Sequence, residues 1–145
     1  MTDDKILFHA EDVAFELENT EGVVRWIETV VAAEKKEVGE VSYIFCDDNY
    51  LHQLNVEYLN HDTLTDIITF PYADNPIEGD IFISLDRVRD NAADFKVTFD
   101  NELHRVIIHG ILHLCGYGDK TDIEAAAMRQ KENDCLALFE KSNFS

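Results

Sequence analysis

Hydrophobic and polar residues recur with two different periods along the chain, and these periods predict its secondary structure. Apolar and polar side chains alternate, as is typical of strands, over residues 5–9, 13–17, 40–46, 65–72 and 79–85. The segment ADNPIEG separates the last two of these and is rich in turn-forming residues. We therefore expect a turn between two adjacent strands in this part of the chain.

Apolar residues three or four positions apart predict the helices. The segment 20–36 has this spacing, and a second helix follows Asp47 or Asp48, either of which is a good N-terminal cap. In that second helix we expect three side chains to face inward, namely Leu51, Leu54 and Tyr58. Further helices are predicted at about 86–95, about 100–115 and about 121–142.

The order of these elements predicts the fold class. The sequence reads β, α, β, α, β, β, α, α, α, which indicates an α+β fold with a small mixed sheet of about four strands packed with about five helices. A chain of 145 residues can bury about two-thirds of its unfolded surface without metal or disulfide cross-links. Since no repeat or Pro-, Gly- or Ser-rich linker interrupts it, we predict a single domain over residues 1–145.

The charge of the chain is strongly negative and unevenly distributed. Thirty acidic residues against 12 basic ones give a net charge of −18, and no lysine or arginine occurs from Glu37 to Asp86. Such a surface repels nucleic acid at long range, so any contact with nucleic acid must be local, metal-assisted or helped by a partner. For most of the surface, the simpler interpretation is that the acidity keeps the protein soluble.

The cysteines and the N-terminus indicate a cytoplasmic protein. Cys46, Cys115 and Cys135 are odd in number and lack CxxC spacing, so we expect free thiols in a reducing compartment. The segment MTDDKILFHAEDV does not have the pattern of a signal peptide. No apolar run approaches the roughly 18 residues of a membrane span, and no membrane partner is expected.

The segment HGILHLCGYGDK at 109–120 carries the chemistry. His109 and His113 are four apart, so their imidazoles lie on one face of a helix, and Gly116 suits a helix end with positive φ. Asp119 follows the turn, which completes the zincin-like spacing H-x-x-x-H-x-x-G-x-x-D, with Gly110 in the place of the peptidase glutamate. Two imidazoles and a carboxylate leave a fourth zinc position open for water, so we predict a metal site.

Other roles for these and neighbouring residues stay open. Asp119 could instead cap the following helix, although Thr121 with Glu124 forms a better capping box. Cys115 could bind zinc, but a buried thiol is the simpler interpretation. Among the remaining histidines, His61 is a weak candidate ligand, and we expect ordinary surface or core roles for three others, His9, His52 and His104.

The segment HGILHLCGYGDK also resembles the signature of the YbeY endoribonuclease family. The segments LNVEY, TDIITFPY and GDIFIS resemble further family motifs in the same order, and together the matches span roughly residues 40–120. The resemblance implies a zinc-dependent, single-strand-specific endoribonuclease with one Zn²⁺ per chain. It also implies action in rRNA maturation, at the 16S rRNA 3′ end, and in ribosome quality control. Single-stranded rRNA, the ribosome or a small-subunit ribosomal protein are then the expected partners.

The chain departs from the family pattern at two places. Asp119 stands where the third ligand is usually histidine, which adds negative charge to the first shell and should weaken the metal as a Lewis acid. Leu59 and Asn60 stand where the family commonly has an arginine, so contacts to substrate phosphates are expected to differ.

Two further residues are predicted to act in catalysis. Arg105 lies one helical turn before His109 and could bind a phosphate, or it could form a surface ion pair with an acidic neighbour. Asp66 could hydrogen-bond a metal ligand or fix the end of a strand. Phe70 and Tyr72 could offer base-stacking surface, although core packing is the simpler role for Phe70.

Two other functions compete with RNA cleavage. A zincin-like metallopeptidase is compatible with the metal spacing, but Gly110 removes its water-activating carboxylate. A ribosome-assembly factor with a structural metal and no catalysis is the other alternative.

Overall fold

A four-stranded mixed sheet packed with five helices forms the fold in the computed structural model, which describes residues 5–60 and 62–141. The strand order is β1-β2-β4-β3, in which β1 and β4 run parallel to β2 and β3 runs antiparallel to β4. The predicted α+β class is therefore confirmed. In chain order, the elements are β1 (Ile6–Ala10), α1 (Thr20–Ala33), β2 (Val38–Cys46), α2 (Asp48–Leu59), β3 (Ile67–Asp74), β4 (Ile77–Ser84), α3 (Leu85–Phe95), α4 (Phe99–Leu114) and α5 (Asp122–Lys141).

One predicted strand is wrong. Residues 13–17 do alternate between half-buried and exposed side chains, but their backbone pairs with none of the described strands. The chain leaves β1 after Ala10 and turns at Asp12, which has a φ of 60°. Phe15 then packs edge-on against the ring of Phe45, with 5.0 Å between centroids. The alternation therefore arises because alternate side chains of this segment pack on the core, although its backbone does not join the described sheet.

Two helices differ from their predictions in detail. The first ends at Ala33 rather than at residue 36, and Lys35, with a φ of 62°, has already left the helical conformation. In α2, Asp47 is the cap and accepts a hydrogen bond from the backbone N–H of Tyr50 at 2.9 Å. Leu51 is buried as expected, whereas Tyr58 is 65% exposed, because the last turn of α2 extends beyond the core.

The buried face of α4 fixes where its histidines point. Ile107, Ile108 and Ile111 are fully buried, and the phenol of Tyr43 in β2 donates to the carbonyl of Ile107 at 2.8 Å. Gly110 brings the helix close to the sheet, because a Cβ there would lie 2.9 Å from Cγ2 of Ile81. With this face against the sheet, the histidines lie toward the open side of the helix.

Helix α5 lies beside α4 and is tied to the core through Trp26. The indole N–H of Trp26 donates to the carbonyl of Cys135 at 2.8 Å, and its ring lies 4.7 Å from that of Phe139. None of the described helices combines the length and the apolar character that a membrane crossing requires. One domain over residues 1–145 stays a prediction.

Candidate metal centre

The end of α4 turns the chain back so that Asp119 faces the two histidines. Gly116 has a φ of 108°, its N–H donates to the carbonyl of His113 at 3.0 Å, and the N–H of Tyr117 donates to that of Leu112 at 2.9 Å. These two bonds form a Schellman turn, for which glycine is the preferred residue. The predicted positive φ at Gly116 is confirmed.

The next helix is capped without Asp119. The N–H of Glu124 donates to Oγ1 of Thr121 at 3.1 Å, and the N–H of Thr121 donates to Oε1 of Glu124 at 3.2 Å. This is the predicted capping box, and it leaves the carboxylate of Asp119 available to the histidines.

Three side chains converge on one point. Oδ2 of Asp119 lies 3.4 Å from Nε2 of His109 and 3.4 Å from Nε2 of His113. Ligand atoms of the three residues all lie within 4.8 Å of one another. In a tetrahedron with zinc–ligand distances of about 2.1 Å, neighbouring ligand atoms are about 3.4 Å apart. The donor set and its spacing therefore fit a single divalent cation.

The other nitrogen of each imidazole is held by a hydrogen-bond acceptor. Nδ1 of His109 lies 2.6 Å from Oε2 of Glu132, and Nδ1 of His113 lies 2.9 Å from the carbonyl of Tyr117. A proton on each Nδ1 leaves the Nε2 lone pair directed at the shared point, as in metal sites in general. Burial lowers the pKa of His109, but the hydrogen bond and charge of Glu132 outweigh it, so the pKa is raised.

Glu132 is the residue of this site that sequence reasoning missed. It is only 5% exposed, and burial alone would raise its pKa, but hydrogen bonds from His109 and Arg105 leave the pKa lowered. Its position did carry a signal. In α5, Glu132 occupies the buried stripe of Met128, Cys135 and Leu136, where a carboxylate needs a partner.

Arg105 is engaged with acidic and amide oxygens. Its guanidinium donates to Oε1 of Glu132 at 3.0 Å and to Oδ1 of Asn133 at 2.8 Å, and its side chain is 18% exposed. The structure shows an ion pair, as one of the two predicted roles requires, but this pair is largely buried rather than at the surface. A catalytic role for Arg105 stays a prediction.

The three converging residues line a cleft of about 830 Å³ that also contains Asp66. Asp66 accepts a long hydrogen bond, 3.5 Å, from the side-chain amide of Asn91, and burial raises its pKa. Glu102, on the same cleft, is 4% exposed, and burial raises its pKa as well. The cleft thus places further carboxyl groups beside the histidines, and the catalytic role of Asp66 stays a prediction.

Other predicted positions lie away from this centre. The Cys115 sulfur is not part of the converging group, and burial raises the pKa of its thiol to about 11. Phe70 packs edge-on against Phe82, and Tyr72 is exposed and donates to Asp80 at 2.8 Å. Neither aromatic side chain lines the cleft. His61 lies outside the described residues.

Comparisons with known proteins identify the family of this chain. The model of the family described as endoribonuclease YbeY matches residues 5–140. The chain belongs to the endoribonuclease YbeY family. This confirms the resemblance and the predicted enzyme class, a metal-dependent hydrolase with nuclease activity.

Relatives in the YbeY family match along most of their length. The endoribonuclease YbeY of Flavobacterium johnsoniae is 56% identical over 88% of this chain and 93% of its own, and that of Flavobacterium psychrophilum is 53% identical over 88% and 92%. The solution structure of TM1509 from Thermotoga maritima superposes with a TM-score of 0.68 at 30% identity, covering 92% of this chain and 88% of that one. The fold and the family assignment therefore agree.

Proposed function

We propose that this chain is a zinc-dependent endoribonuclease that cleaves single-stranded RNA during rRNA maturation, at the 3′ end of 16S rRNA, and in ribosome quality control. The observation that carries the proposal is the convergence of both Nε2 atoms of His109 and His113 on Oδ2 of Asp119, 3.4 Å from each. Family membership supports the choice of RNA as substrate, since the relatives are named endoribonucleases.

In this proposal, His109, His113 and Asp119 hold one Zn²⁺. When bound, zinc stabilises negative charge on a phosphoryl group and lowers the pKa of a coordinated water from 15.7 toward about 7. Two neutral imidazoles and one carboxylate leave a fourth position for that water. The added negative charge of Asp119, relative to a third histidine, should moderate the acidity of the site.

The remaining residues of the cleft orient the metal ligands and hydrogen-bond the substrate. Glu132 and the carbonyl of Tyr117 fix the imidazole orientations through Nδ1. Arg105 keeps Glu132 in place from the preceding turn of α4. We propose that Asp66, which lines the same cleft, hydrogen-bonds a hydroxyl of the reacting RNA.

The peptidase alternative is disfavoured by the position of Gly110. A side chain at this position meets Ile81 at 2.9 Å and Ile67 at 3.2 Å, so a catalytic glutamate has no room there. Proton transfer to an amine leaving group, which that glutamate performs in zinc peptidases, would need another residue.

The acidity of the chain bears on where it meets RNA. With a net charge of −18, the protein should capture free RNA poorly. We propose that it acts in the cytoplasm, on rRNA presented by the ribosome or with a small-subunit ribosomal protein.

The test is elemental analysis together with cleavage assays. We expect one zinc per purified chain, chelator-sensitive cleavage of single-stranded RNA and no cleavage of unfolded casein. Asp119→Ala should lose both the zinc and the cleavage while retaining the circular dichroism of the parent. Casein cleavage would favour the peptidase, whereas bound zinc without RNA cleavage would favour the structural-metal assembly factor.

A further inference from the structure

The cations of the cleft can be found by elimination. The chain has only 12 lysines and arginines, and within the described residues three of them line the cleft, namely Arg105, Lys120 and Arg129. The two arginines of α3 do not line the cleft and are bound to acidic groups, since Arg87 pairs with Asp48 at 3.1 Å and Arg89 with Asp86 at 3.4 Å. Phosphate contacts in the cleft therefore depend on very few side chains.

Of these three cations, Arg105 is the least available. Its side chain is 18% exposed, and its guanidinium already donates to Glu132 and Asn133. By contrast, the Arg129 side chain is 54% exposed, and its ion pair with Glu132 is longer, at 3.5 Å. Lys120 is exposed, and within residues 5–60 and 62–141 its ammonium forms no ion pair with a carboxylate. Lys120 and Arg129 are thus the cations that can meet a polyanion.

These cations lie on one side of the cleft. Lys120 directly follows Asp119, and Arg129 belongs to α5, which packs against α4. Helix α4 also packs against α3 and β3. Among the described residues, α5 packs mainly against α4 and α1, so α4 lies between the two sides of the cleft.

The other side of the cleft, formed by described residues of α2, α3, β3 and the loop before β3, combines apolar and uncharged polar side chains with the carboxyl group of Asp66. The residues that the described parts of α2, α3 and β3 bring to the cleft include no lysine or arginine. They do include two exposed hydrophobic side chains, Leu59 at 42% and Phe95 at 55%. Exposed aromatic surface beside a charged groove is typical of single-strand binding, since every base can stack on it.

We propose that a single RNA strand lies in the cleft with its phosphates against Lys120 and Arg129 and its bases against Leu59 and Phe95. This placement rests on the proposed function, because it takes RNA as the ligand. The backbone then passes beside Asp119, where the converging Nε2 and Oδ2 atoms meet. This placement also explains how a chain with a net charge of −18 can hold a phosphate, because the phosphates contact only the side of the cleft that carries Lys120 and Arg129.

The contact between the RNA phosphates and the side of the cleft with Lys120 and Arg129, here called the phosphate wall, is tested by the salt dependence of RNA binding. The probe is a short fluorescein-labelled oligouridylate, its anisotropy is read on zinc-loaded protein, and gels verify that the strand is intact during the reading. For single strands, the slope of log K against log salt changes by about 0.7 per phosphate contacted. Changing both Lys120→Gln and Arg129→Gln should therefore reduce the slope by about 1.4 and weaken binding at low salt about tenfold or more.

The matched control carries Arg25→Gln and Lys141→Gln, which remove the same charge at exposed positions outside the cleft. We expect this control to keep the slope of the parent. Equal slopes in the cleft variant and the control would overturn the phosphate wall.

The contact between the RNA bases and the side of the cleft with Leu59 and Phe95, here called the base wall, should affect the affinity and not the salt slope. Phe95→Ala should weaken binding by about fivefold or more while the salt slope stays that of the parent, because stacking releases no counterions. Unchanged affinity in Phe95→Ala, or a changed slope, would overturn this half of the proposal. A parent protein that neither binds nor cleaves RNA would contradict the proposed function itself, which distinguishes the two failures.

Discussion

The carboxylate of Glu132 lies 2.6 Å from Nδ1 of His109, and both residues are held there by the packing of α5 on α4. This carboxylate also accepts from Arg105 at 3.0 Å, so its negative charge is shared between an imidazole and a guanidinium. The orientation of one proposed metal ligand thus depends on a side chain that is not itself one of the three converging residues.

Replacing Glu132 with Gln should lower the affinity for zinc more than it disturbs the fold. The amide keeps the size of the side chain but loses the charge that makes His109 a better donor, and loss of such a partner typically costs 10- to 100-fold in metal affinity. Competition with a chromogenic chelator measures the change. Glu140→Gln, an exposed position of α5, is the control and should bind zinc as the parent does. Equal affinity in both variants would exclude this role for Glu132.

Replacing Gly110 with Ala should destabilise the fold. The new Cβ would lie 2.9 Å from Cγ2 and 3.0 Å from Cδ1 of Ile81, and overpacking of this kind costs about 1–3 kcal/mol. Urea unfolding measures the loss. In an Ile81→Val background, which removes Cδ1, the same substitution should cost less, because contacting residues are energetically coupled. An identical cost in both backgrounds would show that the strain arises elsewhere.

The three cysteines should react slowly with iodoacetamide in the folded protein. Burial raises the pKa of Cys46 to about 12 and the pKa values of Cys115 and Cys135 to about 11, so little thiolate is present at pH 8. Since the thiolate is the nucleophile, mass spectrometry should find all three alkylated promptly only after unfolding. A thiol that reacts at the unfolded rate in the native protein would contradict this.

His104 should make part of the stability depend on pH. Burial lowers its pKa below 6.5, where the ring packs near Trp26 and Phe139. The unfolded chain therefore binds a proton on this side chain at a higher pH than the folded protein does. The contribution of neutral His104 to the free energy of unfolding is therefore fully present above about pH 6.5 and is lost as the pH falls toward the pKa of the folded state.

The measurement is the free energy of unfolding of the parent and of His104→Gln at pH 7.5 and 5.5. The parent should lose more stability than the variant over this interval, and other titrating groups cancel in the difference. A loss of equal size in the two proteins would assign the pH dependence to groups other than His104.

Local patterns predicted that His109, His113 and Asp119 converge, because these residues are close together in the sequence. The histidines share a helical face by their spacing, and the glycine turn and the capping box follow from residues within a few positions of one another. Glu132 is 23 residues from His109, and only the packing of α5 on α4 brings them together. The predicted strand at 13–17 and the predicted burial of Tyr58 were wrong for the same reason. Each pattern shows which side chains could be buried, but it does not show which element would pack against them.

The placement of Glu132 also has a consequence for the order of synthesis. All three converging side chains precede Lys120, whereas the carboxylate that orients His109 belongs to α5, which is synthesised after them. A nascent polypeptide, or one clipped before Asp122, carries the complete ligand triad and lacks its support. In the proposed function, tight binding of the ion therefore requires α5, and a fragment without this helix is expected to cleave RNA poorly.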